Sequence, residues 1–232
     1  MTARRLLLGG GLVAVTIAAT VRSPDIAALA RARGWNGYSQ IICTINAGVD
    51  VASLNITGIP HDCLTIINKG RIGGVFNSGT GLYTRTRIRI YNYGTIFGGG
   101  GKGGGGAWKS IFRGTSYSAT GNGGAGGDGA GFNTSGTPIL VSQTSGNTGT
   151  SQTVGGPAIG GTTQGTATGG RGGDGGAIGM RGADGSYGST TGTFESQSDG
   201  VAGNGAAAGA YVDGNSLVTW LATGTRLGNA TN

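Results

Sequence analysis

A chain of 232 residues can bury a sizeable core, yet this one is 36% hydrophobic, 11% charged and holds 55 glycines, which excludes an ordinary α/β globule. Its formal net charge of +7 is unevenly placed, because residues 1–113 hold 13 of the 16 Lys and Arg but three of the nine acids. The arginines there sit in alternating segments such as Arg85-Thr86-Arg87-Ile88-Arg89-Ile90, which reads as a solvated strand face rather than a nucleic-acid patch.

The first residues have the outline of a signal peptide, with Arg4-Arg5 followed by an apolar run from Leu6 to Ala19. Gly9-Gly10-Gly11 interrupts that run, and Leu12 to Ile17 alternates, so the stretch reads as a strand and is short for a transmembrane helix. Ser23-Pro24-Asp25 predicts a helix start with Ser23 at the N-cap. Ile26, Leu29 and Ala30 supply an apolar stripe, and Gly34 a stop. Residues 1–37 are therefore expected to form an N-terminal docking segment, a strand plus one short helix.

From residue 38 to 97 the pattern is β. Ile41-Ile42-Cys43-Thr44-Ile45, Val49-Asp50-Val51, Leu54-Asn55-Ile56 and Leu64-Thr65-Ile66-Ile67 are short apolar strands punctuated by Gly, Pro or Asn. Leu64 to Gly73 recurs 24 residues later as Ile88 to Gly98, and in both copies a strand reaches Asn-x-Gly, turns and continues. Asn and Gly tolerate the left-handed backbone such a corner requires. The expectation is a β-stack of strand–corner–strand units, prism-like in section. Cys43 and Cys63 lie in or beside strands, as buried free thiols or as a disulfide between neighbours. With one histidine, His61, they cannot make a usual zinc site, and His61 has no nucleophile motif around it. No metal, no cofactor and no enzymatic activity are expected.

Residues 98–213 hold 39 of the glycines. In Gly121 to Gly129, and again in Gly169 to Gly185, glycine recurs every third residue in two registers. Three is the period of a polyproline II helix, which has no internal hydrogen bonds. Glycine at two of three positions bares two faces, so neighbouring backbones can approach and bond to one another. These runs are read as an array of polyglycine II helices, with Asn122, Ala125, Asp128, Arg171, Asp174 and Ala177 on the outward face. Collagen fails for want of proline, four in all. The strict period argues against a disordered linker, and a calcium-binding β-roll lacks its tandem nonapeptides. Between the glycine blocks lie Ala107–Thr120, Phe132–Val154 and Ser186–Asp199, irregular segments with the composition of binding loops. Residues 214–232 read as a strand, a Gly corner and a short strand that return to the sheet.

Three stretches together resemble bacteriophage tail-fibre and tail-tip receptor-binding proteins with glycine-rich tips. They are LTIINKG…IRIYNYGTIFGGGGKGGGG, the alternation of glycine motifs with irregular segments, and the ending GNSLVTWLATGTRLG. The resemblance covers about Trp35 to Gly228. It implies a virion component whose variable loops contact a bacterial surface receptor, protein or polysaccharide. It also implies attachment to other phage tail proteins through the N-terminal segment, and either a homotrimer or a monomeric tip. Receptor contact is then expected at Trp108, Lys109, Phe112, Arg113 and Tyr117, helped by Phe132, Tyr187 and Phe194, because aromatic and Arg side chains dominate recognition energy. Trp108 and Phe112, four apart, could instead pin their loop to the scaffold. The rival reading of the whole chain is a purely structural tail-tip or virion decoration protein.

Overall fold

The computed structural model describes residues 11–113, 117–154 and 164–232. Its first part winds through tiers of short strands. The first tier is β1 (Val13–Ile17), β2 (Val21–Arg22) and helix α1 (Ile26–Arg31); the second is β3 (Ile41–Ile45), β4 (Asp50–Ala52) and β5 (Leu54–Ile56). The third is β6 (Leu64–Asn68), β7 (Arg71–Gly73) and β8 (Leu82–Thr84), and the fourth opens with β9 (Ile88–Asn92) and β10 (Thr95–Phe97). The chain then leaves the stack for a long excursion. That excursion contains β11 (Lys109–Arg113), β12 (Tyr117–Gly121), β13 (Gly131–Phe132), β14 (Leu140–Val141), β15 (Ser151–Val154), β16 (Gly165–Thr168), β17 (Ser189–Thr191) and β18 (Ser196–Asp199). It returns as β19 (Ala210–Asp213), which completes the fourth tier, and ends in a fifth tier of β20 (Val218–Ala222), β21 (Thr225–Leu227) and β22 (Asn229–Thr231).

Three parallel sheets result, in the orders β1-β3-β6-β9-β20, β2-β4-β7-β10-β21 and β22-β19-β8-β5. In-register pairing lines up inward residues as columns: Val15, Cys43, Ile66, Ile90 and Trp220 on the first sheet, and Val51, Ile72, Ile96 and Arg226 on the second. Leu54, Leu82 and Val212 align on the third. The aliphatic members of all three columns close one hydrophobic core. A single chain supplies all three faces.

The Asn-x-Gly repeat has a plain physical basis. Asn68 and Asn92 are paired in register and buried, and Asn68 Nδ2 donates to Asn92 Oδ1 at 2.8 Å. Asn92 Nδ2 passes the chain on to the Thr223 carbonyl at 2.8 Å. A side chain on Gly70 or Gly94 would overlap carbonyls of the adjoining tier, those of Val49 and Gly70 respectively. So the corner stacks only with asparagine inside and glycine where tiers touch.

Three expectations shift. The helix is capped by Asp25, whose carboxylate accepts the Ala28 N–H at 2.9 Å, because Ser23 takes a left-handed φ of 44° at the tier corner and cannot serve. β1 and β2, inside the expected docking segment, pair with β3 and β4 as the first tier of the stack. β19, expected in the glycine-rich part, pairs with β8 and so belongs to the stack. Cys43 and Cys63 are buried and free.

The excursion is held by six extended runs that are neither strand nor helix: 98–108, 122–130, 142–150, 169–177, 180–188 and 200–209. They bond to one another through the main chain at every third residue. Gly103 N–H donates to Gly127 and Gly106 N–H to Gly124, each at 2.8 Å, while Gly173 and Gly176 donate to Gly104 and Gly101 at 2.8 Å. The first run bonds to the second, fourth, fifth and sixth, and the fourth to the first, second, third and fifth. A Cβ on Gly126 would overlap the Gly103 carbonyl, and one on Gly176 that of Met180. One on Gly105 would meet nothing nearer than 3.9 Å, because that register faces outward with Lys102.

Candidate functional site

Alternate runs travel outward and back, so the chain reverses at two ends. At the end beside the stack, Arg22 of the first tier donates to Asn133 Oδ1 (2.9 Å) and the Gly136 carbonyl (3.3 Å), tying down the turn between β13 and β14. Phe132 packs there on Phe97 with ring centroids 5.2 Å apart and is fully buried. That overturns Phe132 as a contact residue: it is the plug between stack and array.

At the other end three excursions meet. β11 pairs antiparallel with β12 and β18, and β16 pairs with β15 and β17. The two small sheets share a core of Ile111, Ala119, Val154 and Ala167, with Phe194 packed against it. Polar bonds join them as well, since the Thr120 N–H donates to Gln152 Oε1 at 2.7 Å. Ser110–Thr120, Ser151–Thr168 and Thr153–Thr166 form cross-strand hydroxyl pairs. No periodicity in the sequence marks this small core. Its signal was faint: Ile111 is a lone aliphatic in a polar segment, and Val154 and Ala167 alternate with Thr and Ser over four residues.

The expected contact residues divide. Phe112 (40% exposed) and Tyr117 (44%) stand out from the hairpin on either side of residues 114–116, which lie outside the described residues. Tyr187 is 67% exposed at the end of the fifth run. Trp108 is half-exposed, with its indole against Gly200, where a Cβ would collide with the ring. It pins the hairpin to the sixth run, the second of the two roles open to it. Lys109 is buried and ion-paired with Asp199, and Arg113 is also buried. Lys109 is structural here, since a desolvated ammonium needs its partner in place, and burial leaves little of Arg113 exposed for contact. Phe194 belongs to the small core.

Ion pairs and carboxylate bonds fasten the flanks of the array. Asp174 accepts the Gly146 N–H at 2.9 Å and pairs with Arg171, and Asp184 accepts the Gly205 N–H at 2.8 Å and pairs with Arg181. The backbone donors, then the arginines, hold both carboxyls below the usual value of 3.8. His61 stands apart on the stack, its Nδ1 accepting the Arg87 N–H at 2.9 Å. Among the described residues no cluster of three His, Cys, Asp or Glu could hold a metal.

The fold is thus a β-rich stack with an excursion that carries two small sheets at its far end. The chain belongs to the family of the phage tail fibre adhesin Gp38, whose model matches residues 12–231. It is therefore a receptor-binding protein of the virion's tail fibre or tip, a binding and structural part rather than a catalyst. Among solved structures, the gp37–gp38 adhesin tip complex of the bacteriophage S16 long tail fibre is similar over 94% of this chain and 81% of that one, at 20% identity and a TM-score of 0.43. No curated protein sequence matches the chain.

Proposed function

We propose that the end of the array carrying β11, β12 and β15 to β18 is the surface that recognises a receptor on the host cell. The observation that carries this reading is convergence: three segments far apart in sequence are brought to one end by six runs and fused by one small core. Phe112 and Tyr117 are the described aromatic contacts, with Tyr187 on the flank. The runs act as packed polyglycine II helices, whose rise of about 3.1 Å per residue sets the loops about 28 Å from the stack. The division of labour is then a prism-like β base, a glycine-rich arm and loops at its end, with one chain closing the base by itself as a monomeric tip.

The first-tier end is the docking face for the rest of the fibre. Ile17, Ala18, Ala19, Val21, Ala28 and Leu29 line an open apolar groove of about 500 Å³ there. Leu12, just before β1, is 61% exposed.

Phe112→Ala with Tyr117→Ala tests the recognition reading. Adsorption of phage to host cells should fall at least tenfold while the melting temperature of the tip stays within a degree or two, about the effect of exposed substitutions. Undiminished adsorption would favour a purely structural tip. Leu29→Asp tests docking separately: the protein should fold but fail to join the virion.

A further inference from the structure

Charge is spread unevenly between the stack and the far end of the array. Residues 11–97, most of the stack, hold eight Lys or Arg and three Asp. The far end is built from residues 107–121, 150–168 and 186–199, and there the sequence places four charges: Lys109, Arg113, Glu195 and Asp199. Folding withdraws most of them. Lys109 is buried in an ion pair with Asp199, and Arg113 is buried too. Among the described residues, Glu195 is then the one exposed charge of this end outside an ion pair.

What this end presents instead is hydroxyl, amide and aromatic ring. Ser118, Thr120, Ser151, Gln152, Ser196 and Gln197 are all exposed. On the hairpin, Ser118 lies opposite Phe112 in register and next to Tyr117, and all three side chains are exposed. Hydroxyl pairs fix the neighbouring strands, Ser151 with Thr168 and Thr153 with Thr166, each at 2.9 Å. Such a surface exchanges hydrogen bonds with another neutral polar surface and packs rings on it. It is a poor seat for an ion. A phosphate, carboxylate or ammonium pressed against it would lose water and, away from Glu195, meet no free counter-charge.

We infer that the part of the receptor taken by this end is uncharged, a neutral hydrogen-bonding surface read by aromatic contact and side-chain hydroxyls. The inference deepens the recognition reading and rests on it. It gives the net charge of +7 no part in specificity. The basic stack hastens encounter with an anionic cell surface from a distance. Discrimination falls to a tip that disfavours charge of either sign.

Ser118→Asp and Ser118→Lys test this as a pair, with the full chain bound to immobilised envelope from host cells. Both changes fall at an exposed site, so both variants should keep the wild-type melting temperature. Both should also dissociate about tenfold faster than wild type, since each sets an unpaired charge into the contact. If one sign slows dissociation, or the two affinities differ by more than about tenfold, the epitope carries charge and the inference falls. If neither variant changes dissociation, this surface is not in contact, and the recognition reading falls together with the site it names. Salt gives a second answer from the wild type alone. Raising NaCl from about 0.1 M to about 1 M shortens the screening length from about 10 Å to about 3 Å. Association should slow as the charge of the stack is screened, while dissociation should change by less than about twofold. Dissociation accelerated about tenfold by salt would make the contact ionic and overturn the inference.

Discussion

The stack and the glycine array solve the same problem with opposite materials. In the stack the interior is side chain: Ile41, Ile66, Leu82, Ile90 and Ile96 are fully buried, and the strand backbones lie around them. In the array the interior is backbone, and the glycine runs hold each other by a main-chain bond at every third residue. Burial of apolar area stabilises the first by about 25 cal/mol per Å². The second has little such area and depends on close approach, which satisfies donors and acceptors that would otherwise be buried unpaired. The stack should therefore suffer when side chains are removed, and the array when they are added.

The sharpest way to break that contrast is Gly126→Leu. A Cβ there overlaps the Gly103 carbonyl, so two runs must part, with a loss on the order of 4 kcal/mol from overpacking and broken pairing. Gly105→Ala, one position outside the contacts, should stay within about 0.5 kcal/mol of wild type. Equal melting temperatures for the two would refute the backbone core.

Ile66→Ala comes next. It empties the middle of a five-residue column and should cost about 3 kcal/mol in chemical denaturation, with the opposite sign of volume change from Gly126→Leu. Asn92→Ala should cost about 2 kcal/mol, because it removes the shorter of the two bonds donated by Asn68 Nδ2 and leaves the Thr223 carbonyl without its donor.

The smallest effect is a pH dependence of the array. Asp174 and Asp184 have folded values below 3.8, so their stabilisation is complete above that pH and is lost as pH falls through the lowered values. A wild-type melting curve should drop over that acid window. The Asp174→Asn, Asp184→Asn pair should start slightly lower at pH 7 and drop less. An unchanged acid profile would mean these flank contacts are not coupled to unfolding.

The stack was more legible than the array. Asn-x-Gly repeated at 24 residues announced two tiers, and the structure sets Asn68 against Asn92. The third strand of a tier was less legible, as at Leu82–Thr84, because a strand of three residues carries too little alternation. In the array the interior runs were plain, since a run with four neighbours must be bare on two faces. Residues 142–150 read as an irregular loop because that run bonds only to the second and fourth. Only Gly146 and Gly149 must be bare there, and Ser, Thr, Asn and Gln fill the other positions. Among the site residues, exposure separated Phe112 and Tyr117 from Lys109, Arg113 and Phe132. Composition could not make that division, because an aromatic or a cation beside a glycine run serves as fastener or as contact, depending on which way its strand turns.

The place of the excursion, between β10 and β19, has a kinetic consequence. The third strand of the fourth tier lies beyond the whole array in the chain, and the fifth tier pairs with the fourth. Tiers one to three can form from contacts between near neighbours, but β19 reaches β8 only after the entire array has compacted, one of the slow, long-range closures that dominate folding times. A chain whose array has failed keeps the ends of its last strands loose and open to proteases. Completion of the base thus reports that the arm has been made.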